Sequence, residues 1–334
     1  VKVALDASTT SIDNGYDGLV YAADHGVNVI NCSWGRGGGP SDFEQQIIDY
    51  CAVAHDIVIC ASAGNDGLEQ DDYPCAYKHV TSVAATGTTD SKANYSNYGY
   101  SVDVCAPGTN VLATVYNNTY TTMSGTSMAS PIAAGCAAMV RSRFPWMNAE
   151  QAAAQLRNTC DNISAATGNS AYPGKLGKGR VNLYKALTDT TSPGVIVENM
   201  AITDGNDNVF VAGDTLNMIS LLKNVLRPTA NLICTLSSTS TYVTVLQNTN
   251  TFGVLNMNDT ASNFANSYRV RILSTAPTNQ EVAFKLHMVD GTYTDDYYFK
   301  VIVNVDYLNI AINDVATSVT SRSLIGYNQA GQIQ

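Results

Sequence analysis

Over residues 1–187 apolar runs alternate with segments whose apolar residues recur at helical spacing, the pattern left by βαβ units and a parallel sheet. Val1 to Leu5 reads as a strand. Ile12, Tyr16, Leu19, Val20 and Ala23 then share one helix face, and Gly26 stands where that helix would end. Val27 to Ser33 predicts the next strand. Ser41 followed by Glu44 is a capping-box pair, which opens a helix carrying Phe43, Ile47, Ile48 and Cys51 on one face. Ile57 to Ala61 reads as a third strand, and Val80 to Ala85 and Val102 to Cys105 as further short ones. An alanine-rich helix over Pro131 to Arg143, a helix capped by Asn148, and a last one over Asn182 to Leu187 complete this part.

The periodicity changes after Thr190-Thr191-Ser192-Pro193-Gly194, which has the residues of a linker. Leu232, Cys234 and Leu236 alternate with polar neighbours, as do Val282, Phe284, Leu286 and Met288. Asp290-Gly291 then gives a hairpin signal before the run from Tyr297 to Val303. The expected architecture is an α/β parallel-sheet domain over 1–190, an all-β sandwich of immunoglobulin-like type over 195–306, and the start of a further segment over 307–334.

Composition narrows the function. The chain has 334 residues, 45% of them apolar and only 14% charged, against about 25% in ordinary globular proteins. Lys and Arg number 18 and Asp and Glu 28, so the net charge of −10 argues against nucleic acid or anionic lipid as partner. The longest apolar stretch, Ile132 to Val140, contains a glycine and is too short to span a membrane. The chain opens on Val1 with neither an initiator methionine nor a signal peptide, so an N-terminal segment or propeptide is expected upstream. Of eight cysteines, Cys32, Cys60 and Cys105 fall inside predicted strands as small buried thiols, and no Cys-x-x-Cys spacing points to zinc.

Two short segments carry chemistry. Residues 124–131 read Ser-Gly-Thr-Ser-Met-Ala-Ser-Pro, and a small-residue helix follows at once. That places the Ser127 hydroxyl at a helix amino terminus, where N–H groups and the helix dipole favour negative charge on a nearby oxygen. A plain Ser/Thr helix cap would read the same way. Asn65 ends the run Cys60-Ala61-Ser62-Ala63-Gly64-Asn65, beyond the carboxyl end of the third strand, where functional groups of parallel sheets gather. Alone, Gly64-Asn65 is equally an ordinary turn.

Taken together, Gly125-Thr126-Ser127-Met128-Ala129-Ser130-Pro131 and the upstream Ala63-Gly64-Asn65 closely resemble the subtilisin-like serine proteases. The likeness extends over residues 1–187 through Asn31-Cys32-Ser33-Trp34-Gly35, the Ala106-Pro107-Gly108 turn and Gly177 to Asn182. Ile132 departs from it, since many members have a non-catalytic histidine there. The resemblance implies a secreted endopeptidase acting on polypeptides, with Ser127 as nucleophile and Asn65 as oxyanion donor. It implies further that Ser33, Trp34 and Gly35 pair with extended substrate and that Ala61, Ser62, Ala63 and Gly64 line the other side of the primary pocket.

The family's aspartate and histidine precede the serine along the chain, so both are expected upstream of Val1 and the parallel-sheet domain is expected to be incomplete at its N-terminus. No histidine present substitutes. His25, His55 and His79 each precede a strand, at the wrong end of the sheet for a base that must reach Ser127, and His287 lies on a polar strand face in the second domain. Asp6, Asp13 and Asp17 read as loop and helix-start residues, with Asp6 alone at the carboxyl end of its strand, where it could face the cleft. The expected state is therefore an inactive piece of a serine endopeptidase; the rival is a catalytically dead scaffold or binding protein whose β-sandwich does the work. No cofactor is expected. A structural calcium or alkali cation near Asp103 and the carbonyls of Cys75, Tyr77 and Val80 is a weaker suggestion than a solvated aspartate.

Overall fold

The computed structural model describes residue 3, residues 12–115 and residues 117–306. The expected strand at Val1 to Leu5, Asp6, and the segment over 307–334 lie outside the described residues.

The first half is built on a four-stranded parallel sheet in the order β1 (Val29–Cys32), β2 (Val58–Ser62), β3 (Val80–Thr86) and β4 (Val104–Pro107). β2 and β3 are buried along their whole length, as expected of parallel strands covered on both faces. Alternation sorts their side chains. Ile57, Ile59 and Ala61 face α1 (Gly15–Asp24) and α2 (Asp42–Asp49), packing with Leu19, Ala23, Ile48 and Cys51. Val58 and Cys60 face α3 (Thr126–Arg143) and α4 (Ala149–Asn158), packing with Ala129, Ala133, Ala137 and Val140. Those last four residues of α3 are 0% exposed, and three of them are alanines, so the helix lies close against the sheet. α5 (Leu183–Thr188) closes this half, capped by Asn182.

Three expectations need correction. α3 begins at Thr126, five residues before Pro131, so Ser127 lies in its first turn. Phe43, grouped by spacing with the buried face of α2, is 70% exposed. The Ser41 hydroxyl does accept the Glu44 N–H, but the reciprocal arm of the capping box is missing because the Glu44 carboxylate is held by Arg36, Tyr16 and Tyr77. The pattern also gave no hint of a two-stranded hairpin, β5 (Val111–Val115) and β6 (Thr119–Met123), which stands apart from the main sheet.

The second half is antiparallel. β7 (Val195–Thr203), β8 (Thr215–Asn224), β10 (Val243–Gln247), β12 (Thr260–Ser262) and β13 (Tyr268–Ile272) form one sheet, and β9 (Leu232–Ser237), β11 (Thr249–Gly253), β14 (Gln280–Asp290) and β15 (Tyr293–Val303) the other. Leu216, Met218, Leu222, Val270 and Ile272 of the first share one core with Leu232, Leu236, Phe284, Leu286 and Met288 of the second. The hairpin signal at Asp290-Gly291 joins β14 to β15, with Gly291 at φ +61°, a conformation that glycine adopts without strain. Among the described residues, no helix is long and apolar enough to cross a membrane.

The halves meet at a charged and aromatic seam. Asp295, 2% exposed, receives both ends of the Arg157 guanidinium from α4, and Lys178 Nζ lies 3.2 Å from its Oδ1. Burial pulls the Asp295 carboxyl upward, but the two cations outweigh it and hold the group below its ordinary value. Beside it the Tyr298 ring stacks on Tyr100 at 4.7 Å and presses on Gly174, where a Cβ would fall 2.4 Å from the ring. Asp295→Ala would leave Lys178 without its carboxylate partner and Arg157 with only the longer contact to Asp103, 3.8 Å away. It is expected to cost about 3–5 kcal/mol, read as a lower urea midpoint for the whole chain.

Candidate active site

Three chain segments converge at the carboxyl ends of β1 and β2. β2 runs into Ala63-Gly64-Asn65, β1 into Ser33-Trp34-Gly35, and α3 points its amino terminus at both. The link is Thr126. Its N–H and its hydroxyl both donate to Asn65 Oδ1, at 2.8 and 3.0 Å, while its hydroxyl accepts the Gly64 N–H at 3.2 Å. A backbone N–H can only donate, so the Asn65 atom facing it must be the oxygen. The amide nitrogen Nδ2 is thereby turned the other way, on an exposed residue, with no hydrogen bond to any described residue. Among the described residues it is a fixed donor without a partner.

Ser127 follows Thr126 and is half-buried. Its hydroxyl donates to the Ser33 carbonyl at 3.3 Å, and the Ser33 hydroxyl donates to the Ser127 carbonyl at 2.8 Å. The second bond has a cause in the sequence. Pro131 stands four residues after Ser127 and has no N–H, so the helix cannot supply a donor to that carbonyl. Ser33 supplies it from another element. Asn31 extends the chain of contacts, donating to Ser33 Oγ at 3.0 Å and accepting from Ser130 Oγ at 2.7 Å.

The expected pocket residues divide. Ala61 and Ala63 are 0% and 2% exposed and their side chains belong to the core, so only their backbone is available to a ligand. The Ser62 hydroxyl points back to the Cys32 carbonyl, and Trp34 packs edge-on against Tyr16 and over Gly15. Gly35 remains as exposed backbone, whereas the Gly64 N–H and carbonyl are taken by Thr126 and Asn97. Arg36 pairs with Tyr73 in both directions at 2.8 Å, which ties the first wall to the loop at 71–74.

Sequence reasoning missed the group that holds the second wall. Asn97, 0% exposed, accepts the N–H groups of Asp66 and Leu68 at 2.9 and 3.2 Å through Oδ1, and its own N–H donates to the Gly64 carbonyl at 3.0 Å. Its amide nitrogen donates to Asp72 Oδ2 at 3.2 Å. Gly64 sits at φ +102°, and a Cβ there would fall 2.1 Å from Asp72 and 2.2 Å from Asn97, so glycine is required. No local pattern marks Asn97 or Asp72, because the bonds of Asn97 to Asp66, Leu68 and Asp72 join residues 25 to 31 apart in sequence.

The imidazoles are all elsewhere. His25 Nδ1 lies 2.7 Å from the Tyr21 carbonyl, the His55 ring rests on Tyr50, His79 faces Asp49 across 3.9 Å, and His287 lies 2.6 Å from Asp296. The Asp103 carboxylate accepts the Ser82 N–H at 2.9 Å and lies 3.8 Å from Arg157. Burial pushes that carboxyl up, against the pull of Arg157. Its neighbours are thus a donor and a cation, which do not suit a cation ligand. Among the described residues no three His, Cys, Asp or Glu side chains gather to hold a metal.

A sequence model of the subtilase family matches residues 1–213. The chain belongs to this family. It is 40% identical over 171 residues to thermitase of Thermoactinomyces vulgaris, an alignment covering 51% of this chain and 58% of that protein. It is 35% identical over 190 residues to subtilisin DY of Bacillus licheniformis, covering 56% and 66%. The chain thus spans less than two thirds of the length of these two relatives. Among solved structures, the prenylagaramide maturation protease PagA shares the fold at a TM-score of 0.50 and 24% identity, over 55% of this chain and 70% of that one. In this subtilase chain, Asn97→Ala removes the acceptor of two loop N–H groups. It is expected to destabilise by about 1–3 kcal/mol and to speed hydrogen exchange at the Asp66 and Leu68 amides.

Proposed function

We propose that this chain carries the nucleophile and oxyanion side of a serine endopeptidase. The observation that carries the reading is the pair of hydrogen bonds from Thr126 to Asn65 Oδ1, which turns the Asn65 amide nitrogen outward at the start of the helix that carries Ser127. In the proposed reaction Ser127 Oγ bonds to the carbonyl carbon of a polypeptide and gives its proton to an imidazole. The oxyanion is held by Asn65 Nδ2 and the Ser127 N–H at the start of α3. Collapse breaks the C–N bond, the amine leaves with the proton, and water then releases the acyl group from Ser127.

The imidazole must come from outside this chain, since its four histidines have other neighbours. The Ser127 proton is meanwhile directed to the Ser33 carbonyl, which is no base. Residues 1–334 alone are therefore proposed to be inactive, with the aspartate and histidine on an upstream segment. Action outside the cell is proposed from the family resemblance alone.

Peptidase activity is expected from a polypeptide extended upstream of Val1 and not from residues 1–334. Ser127→Ala should abolish both turnover and labelling by a fluorophosphonate in the extended form. Asn65→Ala should lower kcat about 10²–10³-fold, a figure borrowed from removal of such a donor in subtilisin itself. Robust hydrolysis by residues 1–334 that Ser127→Ala abolishes would overturn the division. An extended form that neither turns over nor labels would favour the scaffold reading.

A further inference from the structure

We propose that Asp72 is the base of the primary substrate pocket and selects peptides with arginine or lysine as the residue whose carbonyl is attacked. The inference rests on the peptidase reading above and names its substrate class.

Both pocket walls start at α3 and end on Asp72. The first wall begins at Ser33, which exchanges two hydrogen bonds with Ser127, and continues to Gly35, where a Cβ would lie 3.9 Å from Asp72 Cβ. At Gly37, two residues on, a Cβ would lie 3.8 Å from Asp72 Oδ1. The second wall is tied to α3 by Gly64 and Asn65 through Thr126, and Gly64 packs directly against Asp72 Oδ2. Asp72 is therefore flanked by three glycines from two walls, with the Tyr73 carbonyl beside Gly35 and Asn97 beside Gly64.

The charge of Asp72 has no counterpart. The residue is 8% exposed, and its oxygens accept only from Gln70 Nε2 and Asn97 Nδ2, both neutral, each at 3.2 Å. A carboxylate offers about four acceptor positions, so room remains for a further donor. Among the described residues no cation pairs with it; nearby Arg36 is committed to Glu44 at 2.7 Å. Burial, followed by the charge of Asp66, pushes the Asp72 carboxyl above its ordinary value, and Asp71 adds to this. A buried carboxylate among like charges is costly to keep unless a cation is brought to it. A guanidinium or ammonium on the substrate would bring one, and its three to five donors suit the free acceptor positions.

The alternative is that Asp72 merely props Asn97 and the Gly64 loop, and Asp72→Asn separates the two. The variant retains an acceptor oxygen at that position and loses the charge. Binding of acetyl-Ala-Ala-Pro-X acids, with X as Arg, Lys, Phe or Leu, is measured calorimetrically on residues 1–334, which requires no turnover. Arg and Lys peptides are expected to bind roughly tenfold to a hundredfold more tightly than Phe and Leu peptides. Asp72→Asn should bring them down to the Phe level while leaving Phe unchanged.

Phe or Leu binding as tightly as Arg, or an equal loss for all four peptides in Asp72→Asn, would overturn the proposal. Binding of none at millimolar concentration would remove the pocket altogether. Fluorophosphonate labelling of the extended polypeptide reports separately on Ser127, so failure of the peptidase reading is distinguishable from failure of the specificity.

Discussion

The geometry of the site depends on one hydrogen bond, from the Thr126 N–H to Asn65 Oδ1. The first N–H groups of a helix have no intrahelical acceptor and need one from elsewhere. α3 takes no side-chain cap from its own N-cap residue, Gly125, and receives the oxygen from the loop after β2 instead. One contact therefore satisfies a helix end, orients an amide and joins two elements 61 residues apart in sequence. An amide held at its oxygen by two donors can present only its nitrogen outward, so the free donor follows from the cap.

The same logic extends to the other wall. Pro131 strips the Ser127 carbonyl of its helical partner, and the Ser33 hydroxyl at the end of β1 replaces it. Ser33 is in turn held by Asn31, whose acceptor is engaged by Ser130 on the next turn of α3. A proline that would ordinarily weaken a helix thus becomes the reason that the helix is bonded to a strand end. The alanines on the sheet face of α3 make this possible, because bulkier residues at 129, 133 and 137 would lift the helix off β2 and lengthen every one of these contacts.

What could be read from sequence was whatever depends on neighbours in the chain. Strand and helix alternation placed β1 to β4 and put Asn65 beyond β2, and the same alternation put His25, His55 and His79 at the far end of the sheet. The start of α3 was read too late because Pro131 looks like a helix beginning, when the compensation for its missing N–H comes from 94 residues away in sequence. The hairpin of β5 and β6 escaped because it is exposed along most of its length and so carries no buried face to impose a pattern. Asn97 and Asp72 escaped for a different reason. Their meaning lies in Gly64, and nothing in a local window says that this glycine packs on a carboxylate and an amide.

The β-sandwich meets the first half at Tyr100, Gly174, Lys178 and Arg157, close to the amino end of β4 and the carboxyl end of α4. The candidate site lies at the opposite end of the same sheet, at the carboxyl ends of β1 and β2. The sandwich comes nearer to it at Lys300, 3.8 Å from Glu69 in the loop after Asn65. Its influence runs through the framework: Asp295 holds Arg157 on α4, α4 packs on α3, and α3 carries Thr126 and Ser127. Because Asp295 is buried between two cations, separating the sandwich would expose the stacked tyrosines and leave Arg157 only its longer contact to Asp103. Asp295 thereby couples the second half to the helix pair that carries Thr126 and Ser127.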